Sequence, residues 1–384
     1  MHWPPSYEQW FIIVSLPLMG LVYAFLGGIK LALAERLKLD EGKVGALVAG
    51  FGMMVGPTIL ACGFLADAIG RQWVYLVGAA VVVAALVVLA RTQSYRGALV
   101  GVLLLGAGWS ATINVANVLM YLIAAPGKVT QMMQFGDFLF GLGAFLTPMV
   151  IGLLLARAGY GGAVRLLAVA SAVPILMGLF ADWGAKGAAA GSLADLFTQK
   201  VFWLTSLAFL FYVPLESSVA GWATTIISRS APDDAATKRV AAMGLMAFWL
   251  CFTGSRLLVA MSGIEEAREL LLLVLTVASV AVILGIVYLP GRAAAVAAVV
   301  GAGLIFGPIF PILIAKVMGV APKGVEGRAV GFFFFFGSIG WTFIPSLIGN
   351  VAKRTDIKRG FLVAGASSAV FLGFVLVQHF LLGD

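Results

Sequence analysis

The sequence predicts an all-α membrane protein with twelve transmembrane helices arranged as two pseudo-symmetric six-helix halves. Three observations predict it. Hydrophobic residues make up 62% of the 384 positions and charged residues 11%, against about 45–50% and about 25% in a soluble domain. Too little polar material remains to cover a water-soluble globule, which excludes a soluble enzyme. Apolar runs of about 20 residues, the length of one membrane span, recur along the whole chain between charged or Pro/Gly breaks. Finally, fragments of the first half return in the second at an offset close to half the chain length.

Taken in order, the spans are expected at 10–34, 43–69, 73–90, 97–125, 128–157, 161–183, 200–228, 236–261, 268–289, 293–319, 325–352 and 358–382. The first is read as a retained span although Ala32-Leu33-Ala34 mimics a signal-peptidase site. No Lys or Arg precedes it in Met1 to Gln9, and the apolar run from Trp10 to Ile29 exceeds the 7–15 residues of a signal-peptide core. Gly184 to Gln199 is rich in Ala, Gly and Ser, which divides the chain into a first half (1–185), a linker (186–199) and a second half (200–384). The repeat supports that division: Gly106-Ala107-Gly108 returns as Gly301-Ala302-Gly303 at an offset of 195, and Gly143, Pro148, Gly152 as Gly340, Pro345, Gly349 at an offset of 197. Parallel repeats of this kind commonly hold a substrate between them near the bilayer midplane.

The remaining composition removes several functions. The net charge is +8, but the basic residues stand singly or in small groups, so nucleic acid is not an expected partner. Cys62 and Cys251 both lie in apolar runs, and His2 and His379 sit near the chain ends. No disulfide framework, metal site or cofactor is expected. No phosphate-binding loop of an ATP-driven pump is present, and little chain is expected to project beyond the first and last spans, against a receptor or scaffold.

Ionisable residues inside spans carry the sharpest signal, because each costs about 2.5–3.5 kcal/mol near a helix centre on insertion scales. Lys30, Asp137, Glu216 and Arg256 qualify. Glu216, deep in the seventh span, is a candidate for gaining and losing a proton during transport; the bland alternative is a structural glutamate bonded to a neighbour. Asp137 and Arg256 invite an ionic pairing that would hold one state closed. In the fourth span Ser110, Asn114, Asn117 and Tyr121 fall on one face, and in the fifth Gln131, Gln134, Phe138, Gly141, Phe145 and Pro148 alternate by three and four. They are read as cavity-lining stripes or as interhelical hydrogen bonding. Trp222 lies about 120° from Glu216 on a regular helix, so the two face one ligand only if Pro214 or Gly221 distorts it. Pro308 and Pro311 mark a hinge or a tolerated kink in the tenth span.

Between the second and third spans stands Gly63-Phe64-Leu65-Ala66-Asp67-Ala68-Ile69-Gly70-Arg71. Asp67 falls at a helix C-terminus, where the dipole disfavours an anion, so it requires a cation or another helix's N-terminus. Gly63, one turn earlier, admits a neighbouring backbone. This run resembles the corresponding loop of the major facilitator superfamily through Gly63, Leu65, Ala66, Asp67, Gly70 and Arg71, with Ala68 and Gln72 in place of two basic residues. The resemblance extends over the whole chain through the twelve spans and two halves. It implies a cytoplasmic loop whose aspartate meets the start of the eleventh span, near Val325 to Ala329, and latches an outward-facing state.

Loop charges point the other way. Fifteen Lys and Arg lie on the opposite side, seven on the motif side and three within spans, so the positive-inside rule would reverse the orientation; loop-charge bias is a tendency, whereas the motif is positional, and the motif-bearing loop is expected in the cytoplasm. In the seventh span Tyr212-Val213-Pro214-Leu215-Glu216 and Gly221-Trp222 resemble the fucose/glucose-type sugar porters and related bacterial facilitators. The drug/proton antiporter pattern is absent where it would place an arginine (Val102) and a Gly-Pro pair (Thr147-Pro148).

The expected function is therefore secondary active transport of a small polar, sugar-like solute by alternating access, coupled to protons. Asn114, Asn117, Gln134, Glu216 and Trp222 are the expected substrate contacts, and Gly63, Asp67, Gly70, Arg71, Asp137 and Arg256 the coupling or gating residues. The alternatives are an organic-anion transporter using Lys30 and Arg256, or a drug efflux antiporter. The chain is expected to act as a monomer in a bacterial inner membrane.

Overall fold

A computed structural model describes residues 5–184, 191–230 and 234–381. Its helices are α1 (Tyr7–Leu37), α2 (Glu41–Ile69), α3 (Arg71–Arg91), α4 (Tyr95–Ile123), α5 (Val129–Gly178), the short α6 (Leu193–Thr198), α7 (Lys200–Ser228), α8 (Ala235–Met261), α9 (Arg268–Tyr288), α10 (Arg292–Phe306), α11 (Ile309–Val320), α12 (Glu326–Arg354) and α13 (Ile357–Leu381). Among the described residues eleven segments are long and apolar enough to span a membrane, with α10 and α11 together forming one of them.

The termini follow from local chemistry. Ser6 and Gln9 form a reciprocal capping box at the start of α1. Asp40, Ser94 and Asp234 each accept the backbone N–H three residues on, at the starts of α2, α4 and α8. Gly70 joins α2 to α3 at φ 105°, a conformation that disfavours any side chain. At the α8 cap, the Thr237 backbone N–H donates to Asp234 at 2.6 Å and holds its carboxyl below the usual aspartate range. Stability from this cap is thus complete above the ordinary aspartate value and fades as pH falls through the lowered one. Asp234→Ala should lower the unfolding temperature at neutral pH, and the gap from wild type should close in strong acid; a gap of constant size across a thermal-unfolding pH series would contradict the assignment.

The expected spans 128–157 and 161–183 are the two arms of α5, which meet at a kink where Gly159 leaves helical geometry at φ 63° and ψ 179°. One span differs from expectation: that expected at 293–319 is broken into α10 and α11 at Gly307-Pro308. Pro308 and Pro311 lack the N–H groups that Leu304 and Gly307 carbonyls would receive in an unbroken helix. The expected linker is partly helical: α6 lies within it and buries Leu196, while 185–190 fall outside the described residues.

The chain forms two compact units. The first comprises Met1–Pro126, Gly136–Leu193 and Pro322–Phe335; the second comprises Gly127–Phe135, Ala194–Ala321 and Phe336–Asp384. The boundary falls inside the expected linker, but two short segments belong to the unit opposite their half of the sequence. The glycine repeat has a packing cause in each unit. In the first, a Cβ on Gly143 of α5 would overlap the Pro17 carbonyl of α1; in the second, a Cβ on Gly340 of α12 would overlap the Leu210 carbonyl of α7. Where no hydrophobic force drives helices together, small residues that admit close backbone approach hold them.

Candidate functional site

In the first unit the Gly63 to Arg71 run assembles around the first turn of α12. Asp67, fully buried as a side chain, accepts the Gly327 and Arg328 backbone N–H groups, each at 2.9 Å. Its Oδ2 also lies 3.2 Å from the Arg328 Nε. These donors are unpaired in any helix N-terminus and carry its positive end, so a carboxylate is the side chain that suits the place. Close approach requires two glycines: a Cβ on Gly63 would overlap the Gly327 carbonyl, and one on Gly327 would lie 2.7 Å from Asp67 Oδ1. Asn114 of α4 donates from Nδ2 to the Gly327 and Ile59 carbonyls, at 3.1 and 3.2 Å. Arg71 pairs with Glu326 at 2.9 Å, and Glu326 also accepts the Gly324 N–H at 2.8 Å. Gln72, standing where the family resemblance has a basic residue, donates to the Gly178 and Leu179 carbonyls.

The second unit contains a counterpart that the sequence reading missed. Glu265, after α8, accepts the Thr130 N–H at 3.1 Å, the Thr130 hydroxyl at 2.9 Å and the Gln131 N–H at 3.3 Å, at the start of α5. Thr130 and Gln131 stand 197 residues before Gly327 and Arg328, and Glu265 stands 198 after Asp67. Repeating the glycine offset from Asp67 would have pointed to this region. From Glu265 an ionic chain continues through Arg268 to Glu269, and on to Lys316 of α11, an in-span lysine only 4% exposed that the reading also passed over.

At the α10–α11 break, three successive carbonyls are held by side chains from three other segments of the same unit. The Tyr212 hydroxyl of α7 donates to Phe306 O at 2.7 Å, Arg256 Nε of α8 to Gly307 O at 2.9 Å, and Gln134 Nε2 to Pro308 O at 2.8 Å. Irregular backbone at membrane depth survives only where such groups are satisfied internally. Glu216 stands one turn after Tyr212, its Oε2 3.1 Å from the same hydroxyl. Arg256 also lies over the Phe252 ring, 4.2 Å from its centroid.

The other expected residues are placed as follows. Asn117 is buried on α4 and donates to the Ile113 carbonyl at 2.8 Å. Asp137 is buried on the part of α5 in the first unit, whereas Arg256 belongs to the second. Trp222, half-buried on α7, has its ring beside Gly349 of α12. Lys30 is exposed on α1. Unanticipated from sequence is an aromatic nest in the first unit: Tyr23, 39% exposed, contacts Trp109, Phe140 and Phe51 with ring centroids at 5.1, 5.7 and 6.1 Å. Trp109 is fixed by its Nε1–H on the Met19 carbonyl.

Among the described residues, eleven membrane-length apolar segments and the buried ionisable groups within them define an integral, multi-pass membrane protein. The family model described as Major Facilitator Superfamily matches residues 11–345, and the chain belongs to that superfamily of transporters. No curated protein matches the sequence. Among solved structures, an alanine variant of the E. coli fucose:proton symporter FucP aligns with a TM-score of 0.82 at 16% identity, over 97% of this chain and 99% of that one. A structure of FucP in the outward conformation aligns at 0.80 and 16%, with the same coverage. The human organic anion transporter TETRAN aligns at 0.78 and 15%, over 97% and 100%. At these identities the likeness establishes the fold.

Proposed function

We propose that this chain is a proton-coupled secondary transporter of a small polar, sugar-like solute, working by alternating access as a monomer in a bacterial plasma membrane. The observation that carries the reading is Glu216, an ionisable side chain deep in an apolar span and bonded to Tyr212. A carboxyl kept at membrane depth is a functional group by default. The fold likeness to a fucose:proton symporter supports both the coupling and the solute class. Trp222 and the Tyr23–Trp109 nest offer ring faces on which the C–H side of a sugar stacks. Asn117, Gln134 and Trp222 remain the ligand contacts of this reading. Asn114 is proposed as part of the gate, together with Gly63, Asp67, Gly70 and Arg71, because its amide holds the Gly327 carbonyl. Asp137 and Arg256 complete the gating set.

The test is a thermal-stability screen of purified protein against monosaccharides, amino acids, carboxylates and drugs, repeated with Glu216→Gln and Arg256→Ala. A ligand specific to the folded state at roughly 100 times its Kd adds about 2.7 kcal/mol. A monosaccharide that stabilises wild type and loses its effect in Glu216→Gln is the expected result. A carboxylate whose effect vanishes in Arg256→Ala would replace this reading with an organic-anion transporter built on Lys30 and Arg256.

A further inference from the structure

Among the caps on the α10–α11 break, the Tyr212 hydroxyl stands between two acceptors. Its oxygen lies 2.7 Å from Phe306 O and 3.1 Å from Glu216 Oε2. A phenol carries one hydrogen and so donates fully to one of these two. If Glu216 is protonated, its O–H donates to the phenol oxygen and the phenol donates to Phe306 O, satisfying both distances in one continuous chain. If Glu216 is ionised, the carboxylate competes for the phenol hydrogen and is the stronger acceptor. Phe306 O then loses the Tyr212 hydrogen, at the last residue of α10 beside Gly307-Pro308.

We propose that Tyr212 is a positioning residue that relays the protonation of Glu216 to the break in the tenth span: proton binding secures the junction of α10 and α11, and proton release frees it. The proposal rests on the reading of Glu216 as the coupling group and adds the element it moves. Arg256, on α8, is the charged neighbour that acts on Glu216. It caps the adjoining Gly307 carbonyl, so the carboxyl and the break share a second neighbour. The other ionisable groups on helices packed against α7 stand toward helix ends: Lys238 and Arg239 of α8, Arg292 of α10, Glu326, Arg328, Lys353 and Arg354 of α12, and Lys358, Arg359 and His379 of α13. Lys316 of α11 lies eight residues past Pro308 and is bonded to Glu269. Gln134 and Arg256 remain on their carbonyls in both protonation states, which makes the junction a hinge rather than a point of unfolding.

The experiment is hydrogen–deuterium exchange of the peptides covering 304–314, in lipid nanodiscs across a pH series, corrected for the intrinsic pH dependence of exchange. No ligand is needed. Wild type should lose about threefold in protection as pH rises, the scale of one interhelical hydrogen bond in a membrane. Glu216→Gln should show protection independent of pH, and Tyr212→Phe reduced protection independent of pH, with peptides of α4 unchanged in both. A wild-type profile flat with pH, or a pH-dependent step retained in Glu216→Gln, overturns the relay. Should Tyr212→Phe not fold, the wild-type and Glu216→Gln profiles decide alone. If Glu216→Gln abolishes coupled uptake while the exchange step persists, the relay fails and the coupling role of Glu216 stands. A flat profile in the variant together with undiminished uptake removes the coupling role instead.

Discussion

Glu216→Gln is expected to abolish uphill accumulation of the transported solute while leaving exchange of solute across the membrane close to the wild-type rate. The substitution is nearly isosteric, and the amide nitrogen can donate to the Tyr212 oxygen as the protonated acid would, so the packing of α7 against the α10–α11 break is retained. What disappears is the ability to carry a proton. One proton per solute moving down about 100 mV supplies about 2.3 kcal/mol, enough for roughly a fiftyfold gradient. The variant should therefore bring internal solute only to the external concentration, a loss of the whole fiftyfold factor. Exchange passes through loaded states alone, in which the neutral side chain imitates the protonated one, and so it persists. Proteoliposomes with an imposed proton gradient measure the first quantity, and counterflow without a gradient measures the second. Accumulation at the wild-type level would reject Glu216 as the coupling group, and loss of counterflow together with accumulation would assign it to substrate binding or to folding.

How much of this arrangement could be read beforehand depended on whether the signal was positional or a product of packing. Asp67 was legible because its requirement is local: an acid at a helix C-terminus with a glycine one turn before needs the positive end of another helix, and Gly327 and Arg328 supply it. Glu265 makes the corresponding contact with Thr130 and Gln131, yet its surroundings share almost nothing with the Gly63 to Arg71 run, so only the repeat offset pointed to it. The break at Gly307-Pro308 was foreshadowed by two prolines, but the identity of its caps was not, because Tyr212, Arg256 and Gln134 come from segments 94, 51 and 174 residues away. Spacing places Asn114 on a polar face without saying what it meets there. In the fold its amide meets the Ile59 and Gly327 carbonyls.

The largest stability effect is expected where two backbones cross. In a helix, Gly→Ala ordinarily stabilises, by roughly 0.5–1 kcal/mol, since alanine loses less conformational freedom on folding. Gly152 on α5 has nothing within 4 Å of the position its Cβ would take, so Gly152→Ala should be neutral or slightly stabilising. At Gly63 the sign reverses. The added Cβ would overlap the Gly327 carbonyl, a backbone atom that cannot rotate away as a side chain can. To accommodate it, α12 must withdraw from α2, stretching both N–H bonds to Asp67 and the Asn114 bond to Gly327 O together. Asp67 would then stay buried with its compensation weakened, and an uncompensated buried charge costs several kcal/mol. Overpacking itself adds about 1–3 kcal/mol. Gly63→Ala should therefore destabilise by about 3 kcal/mol or more, and Asp67→Asn, which preserves shape but presents an N–H₂ group to one of the two backbone donors, by a comparable amount. Thermal unfolding of the three variants beside wild type measures this. Because all of these contacts meet at Gly327, combining Gly63→Ala with Asp67→Asn should cost clearly less than the sum of the single changes. Additive costs, or a Gly63→Ala protein as stable as Gly152→Ala, would mean that Asp67 does not hold the start of α12.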